Sequence, residues 1–241
     1  MNSPSILLII PAYNESETIV SLVKKITDYK EKSNLSLEYI VINDGSTDNE
    51  EEILTMNHIN HIELIQNLGI GGAVQTGYKY ALEHDYDIAV QFDGDGQHDI
   101  ESLPNLIAPL LSGEADLVTG SRFIEKKESN FQSSFSRRLG IRLISSTVKM
   151  VSGLKIFDIT SGYRAGNRAV IAQFANRYPS KYPEPESYIY LFKQGFKVKE
   201  VPAQMFERQA GTSSIGLFSA VLYMIDVLLS VLIASFVEGE K

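Results

Sequence analysis

The chain is predicted to fold as an α/β domain, a mostly parallel sheet with helices on both faces. Three observations predict this. Short, continuous apolar runs at residues 6–10 and 88–92 read as strands buried on both faces. Over the first 120 residues such runs alternate with segments of helical periodicity. Polar, glycine-rich and acidic motifs follow the strand ends, where open sheets of this kind bind ligands.

The elements follow in order. The first strand, residues 6–10, runs into Pro11. Asn14 then offers an N-cap, with Glu17 three residues on as in a capping box, and a helix is expected to about Tyr29. Residues 37–43 form the second strand, and Asp44-Gly45-Ser46-Thr47-Asp48 turns the chain into a helix from about Asn49. Residues 62–66 form the third strand, 71–84 a helix, 88–92 the fourth strand, 103–111 a helix, and 116–120 contain the fifth strand. The second half is less regular. Residues 130–152 are basic and amphipathic: Phe131, Phe135, Leu139 and Ile144 supply apolar surface, and Arg137, Arg138, Arg142 and Lys149 supply charge. They form either a solvated helix face or an interfacial helix near anionic lipid or phosphate. A further helix is expected over residues 186–194.

A chain of 241 residues is long enough for one large domain with a proper core. A net charge of −8 argues against bulk nucleic-acid binding, so any anion site must be a local cluster of Arg or Lys. With no cysteine, neither a disulfide framework nor a thiolate metal site can form. The first residues carry no basic segment of the kind that opens a secretion signal. Residues 215–237 carry one charge, Asp226, and are long enough to cross a bilayer as a helix. Ser219, Tyr223, Asp226 and Ser230 fall on one face of it. Three readings are open: a span with its polar stripe against a partner, an in-plane interfacial helix, or a soluble core helix. The expected organisation is a catalytic domain over residues 1–213 and a membrane-associated helix over 214–241, with no linker between them.

The chemistry centres on Phe92-Asp93-Gly94-Asp95-Gly96-Gln97-His98. Two carboxylates one residue apart at a strand end suit a hard divalent cation, which takes oxygen ligands and shares them with a ligand's phosphates. A solvated turn is the alternative, since Asp and Gly dominate turns. Six further motifs occur with it in order. They are Pro11-Ala12-Tyr13-Asn14-Glu15, Asn43-Asp44-Gly45-Ser46-Thr47-Asp48, Asn67-Leu68-Gly69-Ile70-Gly71-Gly72-Ala73, Gly120-Ser121-Arg122, Asp158-Ile159-Thr160-Ser161-Gly162-Tyr163-Arg164 and Arg208-Gln209-Ala210-Gly211-Thr212-Ser213. Over about residues 5–215 this set resembles the family-2 inverting glycosyltransferases, most of all the dolichol-phosphate mannose synthase and bacterial polyprenyl-phosphate branch.

The resemblance implies a GT-A fold, a UDP-sugar donor and Mg²⁺ or Mn²⁺. It implies that Pro11, Ala12, Tyr13 and Glu15 cradle the nucleoside, that Asp44 lies near the base, and that Gly71 lets a helix start approach the donor. Asp93, Gly94, Asp95 and Gln97 match the metal and diphosphate site. Arg208 matches a mobile-loop arginine that clamps the diphosphate. Arg122 with Arg137 or Arg138 matches arginines that face an acceptor phosphate, for which a planar guanidinium is suited. Asp158 is either a general base for a hydroxyl acceptor or an orienting residue that holds Arg164 or orders the Ser161-Gly162 turn. Glu184 and Glu186 either contact the donor sugar or belong to a helix N-terminus, where acidic residues are favoured. The chain has no Trp, so the Gln-x-x-Arg-Trp motif of processive relatives is absent. The implied activity is inverting transfer of one sugar, glucose or N-acetylglucosamine, to undecaprenyl phosphate at the cytoplasmic face of the membrane, for cell-wall polysaccharide modification. Alternatives are transfer to a saccharide hydroxyl of a lipid-linked glycan and a non-catalytic nucleotide-sugar-binding or scaffold role. With one polar-striped tail segment, a second copy or a small membrane protein is the expected partner.

Overall fold

The computed structural model describes residues 3–124, 135–206 and 217–236, and for residues 135–139, 217–225 and 234 the backbone alone. Seven strands form one sheet: β1 (Ser5–Ala12), β2 (Ser36–Asn43), β3 (His61–Glu63), β4 (Ile88–Gln91), β5 (Leu117–Ser121), β6 (Arg164–Asn167) and β7 (Val198–Pro202). Their order across the sheet is β3-β2-β1-β4-β6-β5-β7. All neighbours are parallel except β6, which runs antiparallel to both β4 and β5. The helices are α1 (Ile19–Lys32), α2 (Glu50–Met56), α3 (Gly69–Glu83), α4 (Leu103–Leu111), α5 (Phe135–Ser152), α6 (Arg168–Asn176), α7 (Pro183–Lys193) and α8 (Leu217–Phe236).

The apolar run of β1 explains the layering. Side chains alternate across a strand. Leu7 and Ile9 enter one core with Val74 and Tyr78 of α3 and Phe174 of α6. Ile6, Leu8 and Ile10 enter the other with Leu22, Val23 and Ile26 of α1 and Leu103 and Leu106 of α4. All five are fully buried. Helix α3 lies so close to β1 that a Cβ on Gly77 would overlap Ile9 Cγ2.

Several sequence expectations are corrected. Asn14 is not an N-cap and no capping box forms with Glu17: α1 begins at Ile19 after Thr18, and Asn14 has φ 57°. Its side chain is taken by the neighbouring loop, as described below. The third strand is three residues, His61–Glu63, and not residues 62–66. The fourth ends at Gln91. Strands β6 and β7 were not anticipated. The sequence of β6, Arg-Ala-Gly-Asn, carries no apolar alternation, and its burial comes wholly from lying between β4 and β5. Strand β7 is a half-buried edge. Helix α7 starts at Pro183, which suits a first helical turn, and so absorbs Glu184 and Glu186.

The tail also differs from a free span. Among the described residues no helix is long and apolar enough to cross a membrane. Helix α8 packs against α5 and α7 and buries Val227 and Val231. Asp226 accepts from Tyr182 Oη at 3.1 Å and Lys181 Nζ at 3.4 Å, Ser230 hydrogen-bonds Glu186, and Lys193 Nζ donates to Ser235 O at 2.7 Å. The polar stripe therefore meets protein where it is described; the Ser219 and Tyr223 side chains lie outside the described residues.

Replacing Gly77 with Ala should destabilise the domain by about 1–3 kcal/mol, because an added methyl must displace Ile9 in a packed core. Urea unfolding followed by circular dichroism checks this; an unchanged midpoint would contradict the close α3–β1 contact.

Candidate active site

The chain reverses direction across the sheet between β1 and β4, so the loops after these strands diverge and leave a crevice. There lies a cleft of about 480 Å³, lined by Pro11, Ala12, Tyr13, Glu15, Asp44, Asn67, Gly69, Ile70, Ala73, Asp93, Gly94 and Asp95. Most of the residues expected at the donor thus come together. Gly71 does not line the cleft. It packs against the backbone of Pro179 and Ser180, where a Cβ would overlap Pro179 O, so its role is to seat α3.

The nucleoside end is built from two loops tied together. Asn14 Oδ1 accepts from Thr47 N at 2.8 Å and Asp48 N at 3.2 Å, and Asn14 N donates to Ser46 Oγ at 2.9 Å. Glu50, fully buried in the first turn of α2, accepts from Glu15 N at 2.9 Å and from Ser46 Oγ at 2.8 Å. Burial pushes its carboxyl above the usual range, against the pull of those hydrogen bonds. Asp44 accepts from Leu68 N at 2.7 Å, which ties the β2 loop to the start of α3. Its carboxyl is also raised by burial, opposed by the Leu68 and Gly69 N–H groups.

The acidic end is organised by His98. Asp93 N donates to His98 Nδ1 at 3.1 Å, so the neutral ring carries its proton on Nε2, 3.5 Å from Asp93 Oδ2. Burial lowers the His98 pKa to about 4, which keeps it neutral. The ring stacks on Tyr163 at 4.7 Å and meets Phe92 edge-on at 5.4 Å. Gln91 Nε2 donates to Asp93 Oδ1 at 3.1 Å. Gly162 closes the other side: a Cβ there would lie 2.6 Å from Asp93 Oδ2. Asp95 Oδ1 accepts from Gln97 N at 3.0 Å. Gln97 itself turns toward the segment after β7, with Nε2 3.4 Å from Phe206 O, and does not line the cleft.

These residues suit a hard cation. Asp93 and Asp95 offer carboxylate oxygens, and the described residues contain no cluster of three or more His, Cys, Asp or Glu that would cage a metal by itself. A cation held here would complete its shell with a ligand's own oxygens, as Mg²⁺ does with phosphates.

At the end of β5 the structure resolves the choice of partner for Asp158. The side chain is fully buried and pairs with Arg122, not Arg164. Arg122 donates through Nε at 2.7 Å and Nη2 at 2.6 Å, and through its backbone N at 3.1 Å. Glu200 of β7 accepts from the backbone N–H groups of Phe157 and Asp158 at 2.8 and 2.6 Å. Arg164 is instead fully buried beneath the acidic end, hydrogen-bonded to Ser161 O and Ser187 Oγ and lying 4.5 Å over the Tyr188 ring. Glu184 sits near it, its carboxyl raised by burial and lowered in turn by Arg164. Glu186 turns to α8 through Ser230, which places it in a helix–helix seam and not beside Glu184. Arg137 and Arg138 fall in the first turn of α5, their side chains outside the described residues, and Arg208 lies outside them altogether.

Sequence reasoning missed Gln91, His98, Glu50 and Glu200 as supports. His98 stood within the acidic motif, and its place five residues after Asp93 was a usable signal. Glu50 and Glu200 carried none, because the backbone amides they hold, Glu15 and Phe157 with Asp158, are distant in sequence.

Known proteins share this chain's sequence pattern and fold. Residues 7–174 match the family model described as glycosyl transferase family 2. A UDP-N-acetylglucosamine–dolichyl-phosphate N-acetylglucosaminyltransferase of Methanococcus voltae is 32% identical, over 82% of this chain and 84% of that one. A polyprenol monophosphomannose synthase of Mycolicibacterium smegmatis is 28% identical, over 86% of this chain and 79% of that one. The solved glucosyl-3-phosphoglycerate synthase of Mycobacterium tuberculosis, in complex with Mn²⁺, UDP-glucose and phosphoglyceric acid, superposes with a TM-score of 0.71 at 20% identity, over 96% of this chain and 80% of that one. The fold is the GT-A fold, and with more than half its length matched by the family model, the chain belongs to glycosyltransferase family 2.

Proposed function

We propose that the protein transfers one sugar, glucose or N-acetylglucosamine, from a UDP-sugar to a polyprenyl phosphate such as undecaprenyl phosphate, with inversion at the anomeric carbon. The reaction belongs at the cytoplasmic membrane face, and its product serves cell-wall polysaccharide modification. The observation that carries this reading is the Arg122–Asp158 pair. Both Asp158 oxygens are engaged by Arg122, in a fully buried position. A carboxylate so held is a poor general base. A lipid phosphate needs none: it is anionic near neutral pH and requires orientation and charge compensation. Relatives whose names state polyprenyl or dolichyl phosphate acceptors support the same choice.

In this reading Pro11, Ala12, Tyr13, Glu15 and Asp44 bind the nucleoside, and Asp93 and Asp95 hold a Mg²⁺ or Mn²⁺ ion. The ion, when bound, offsets the negative charge that develops on the nucleoside diphosphate. Asp158 orients Arg122 toward the acceptor phosphate, with Arg137 or Arg138 beside it. Arg208 clamps the diphosphate. An acceptor oxygen attacks the anomeric carbon as its bond to the diphosphate breaks. Glu184 stays a donor-sugar candidate; Glu186, engaged by α8, does not.

The tail fits in-plane attachment better than a span. Leu229, Ile233 and Phe236 are 51%, 62% and 85% exposed and share one face of α8, opposite the buried Val227 and Val231. The neighbouring α5 exposes Arg142 and Lys149. An apolar face beside basic residues suits the headgroup region of an anionic bilayer.

Three outcomes test the proposal. Asp95→Asn should lose nearly all transfer while keeping the wild-type melting temperature, and excess EDTA should abolish wild-type transfer until Mn²⁺ or Mg²⁺ is restored. Radiolabelled UDP-sugars with undecaprenyl phosphate provide the assay, and full activity in either case would refute the cation site. Asp158→Asn should cost roughly 3 kcal/mol of stability by removing the carboxylate that pairs with Arg122, and should raise KM for the lipid phosphate. Its pH–rate profile should keep its shape; loss of a basic limb with a fall of about 10² or more in kcat would instead mark a general base. Changing Leu229, Ile233 and Phe236 together to Ser should abolish co-sedimentation with anionic phospholipid vesicles and leave the melting temperature unchanged. Undiminished sedimentation would move the attachment elsewhere.

A further inference from the structure

Behind the acidic end of the cleft lies a buried arginine that the reaction scheme above does not use. Arg164 of β6 is fully buried, and its Nη2 has no hydrogen-bond partner. Its Nε donates to Ser161 O at 2.9 Å and its Nη1 to Ser187 Oγ at 2.6 Å; Ser187 Oγ in turn donates to Glu184 O at 2.9 Å. The guanidinium thus reaches the first turn of α7, where Glu184 lies within its field. The Gln91 side chain donates from Nε2 to Asp93 Oδ1 at 3.1 Å and lies near enough to Glu184 to favour its carboxylate form. Tyr178 Oη lies 3.3 Å from Gln91 Oε1, which fixes which end of that amide faces which neighbour. Gly162 leaves room for this arrangement, since a Cβ would lie 2.9 Å from Gln91 Nε2 and 2.6 Å from Asp93 Oδ2.

Such an arginine contributes little net stability together with its partner, because desolvating the two charges offsets their attraction, while removing it alone leaves a buried carboxylate uncompensated. Its charge has a use close by. The Gln91 amide, which donates from Nε2 to Asp93, also lies near Glu184, and the two carboxylates repel one another. Arg164, fully buried, offsets the charge of Glu184. With that charge balanced, the Gln91 amide keeps its donor toward Asp93, and Asp93 keeps one orientation. Supports of this kind behind a metal-binding carboxylate govern how well it binds.

We propose that Arg164 is a positioning residue: acting through Glu184 and the Gln91 amide, it holds the Asp93 carboxylate ready for a divalent cation and the diphosphate it accompanies. This rests on the donor-site reading given above. The four residues come from β6, α7, β4 and the loop after β4, so the chain is assembled only by the antiparallel insertion of β6 beside β4.

The test is calorimetric titration of the full-length protein with UDP, with and without Mn²⁺, beside thermal unfolding and transfer kinetics. Arg164→Met should weaken Mn²⁺-dependent UDP binding roughly tenfold to a hundredfold. UDP affinity without metal should stay as in wild type, because the Asp44 end is untouched. Glu184→Gln should act in the same direction, and it carries the test if Arg164→Met fails to fold. In the double variant the loss should be smaller than the sum of the two, since the charges act on each other. Arg164→Lys should recover part of the binding. Equal Mn²⁺-dependent affinity in wild type and folded Glu184→Gln would overturn the chain, as would strictly additive losses or a lowered melting temperature with unchanged metal response. Absence of Mn²⁺-dependent UDP binding in the wild type would overturn the donor reading, and this inference with it.

Discussion

The burial of β1 on both faces is the constraint on which the rest of the molecule depends. Ile6, Leu7, Leu8, Ile9 and Ile10 are all fully buried, split between the two cores. At about 1.5–3 kcal/mol for each such side chain, the strand contributes on the order of 10 kcal/mol, comparable with the net stability of a whole domain. That burial needs helices on both sides and strands on both edges. Supplying them forces the chain out to β2 and β3 and back to β4, and the reversal opens the cleft. Stability and site location are therefore consequences of the same arrangement.

The cleft walls are loops, and loops need other means of being held. At the nucleoside end the means are side chain to backbone hydrogen bonds: Asn14 to the Thr47 and Asp48 amides, Glu50 to Glu15, and Asp44 to Leu68. Each joins two loops that follow different strands. At the acidic end an uncharged imidazole is the right support. A protonated His98 would compete with any cation for Asp93, whereas the neutral ring orients the carboxylate without neutralising it. The bridge between His98 and Met205 carries this loop to the segment that leads toward Arg208.

Buried arginines beside carboxylates distinguish the half of the sheet beyond β4. Arg122 with Asp158, Glu200 capping the Phe157 and Asp158 amides, and Arg164 beside Glu184 all lie between β4 and β7. Desolvating ions in this way contributes little to stability. It does set orientations, and the orientations concern groups at the rim of the cleft. The division of labour follows: the parallel half supplies the core and the nucleoside loops, and the mixed half supplies positioned charge.

By itself the sequence determined the parallel half. The runs at residues 6–10 and 88–92 read as strands buried on both faces, and the motifs behind them fall at strand ends, so the acidic pair and the nucleoside loop were legible as a candidate site, with a solvated turn as the alternative for the acidic pair. These are local signals, set by period and turn chemistry. What only the tertiary structure decided is everything that depends on pairing between distant residues. Strand β6 carries no strand pattern and exists because β4 and β5 flank it. Asn14 reads as a helix cap, yet the Thr47 and Asp48 amides claim its side chain. Asp158 reads as a base, as the holder of Arg164 or as the support of the Ser161-Gly162 turn, and the strand order set Arg122 against it by placing the end of β5 next to it. Glu184 and Glu186 read alike in the sequence, and the rotation of α7 sends one toward Arg164 and the other toward α8. The tail reads as an apolar segment of spanning length, while its described half is latched to α7 through Asp226 and Ser230. In each case the local chemistry allowed more than one partner, and the packing of the sheet and its helices left one within reach.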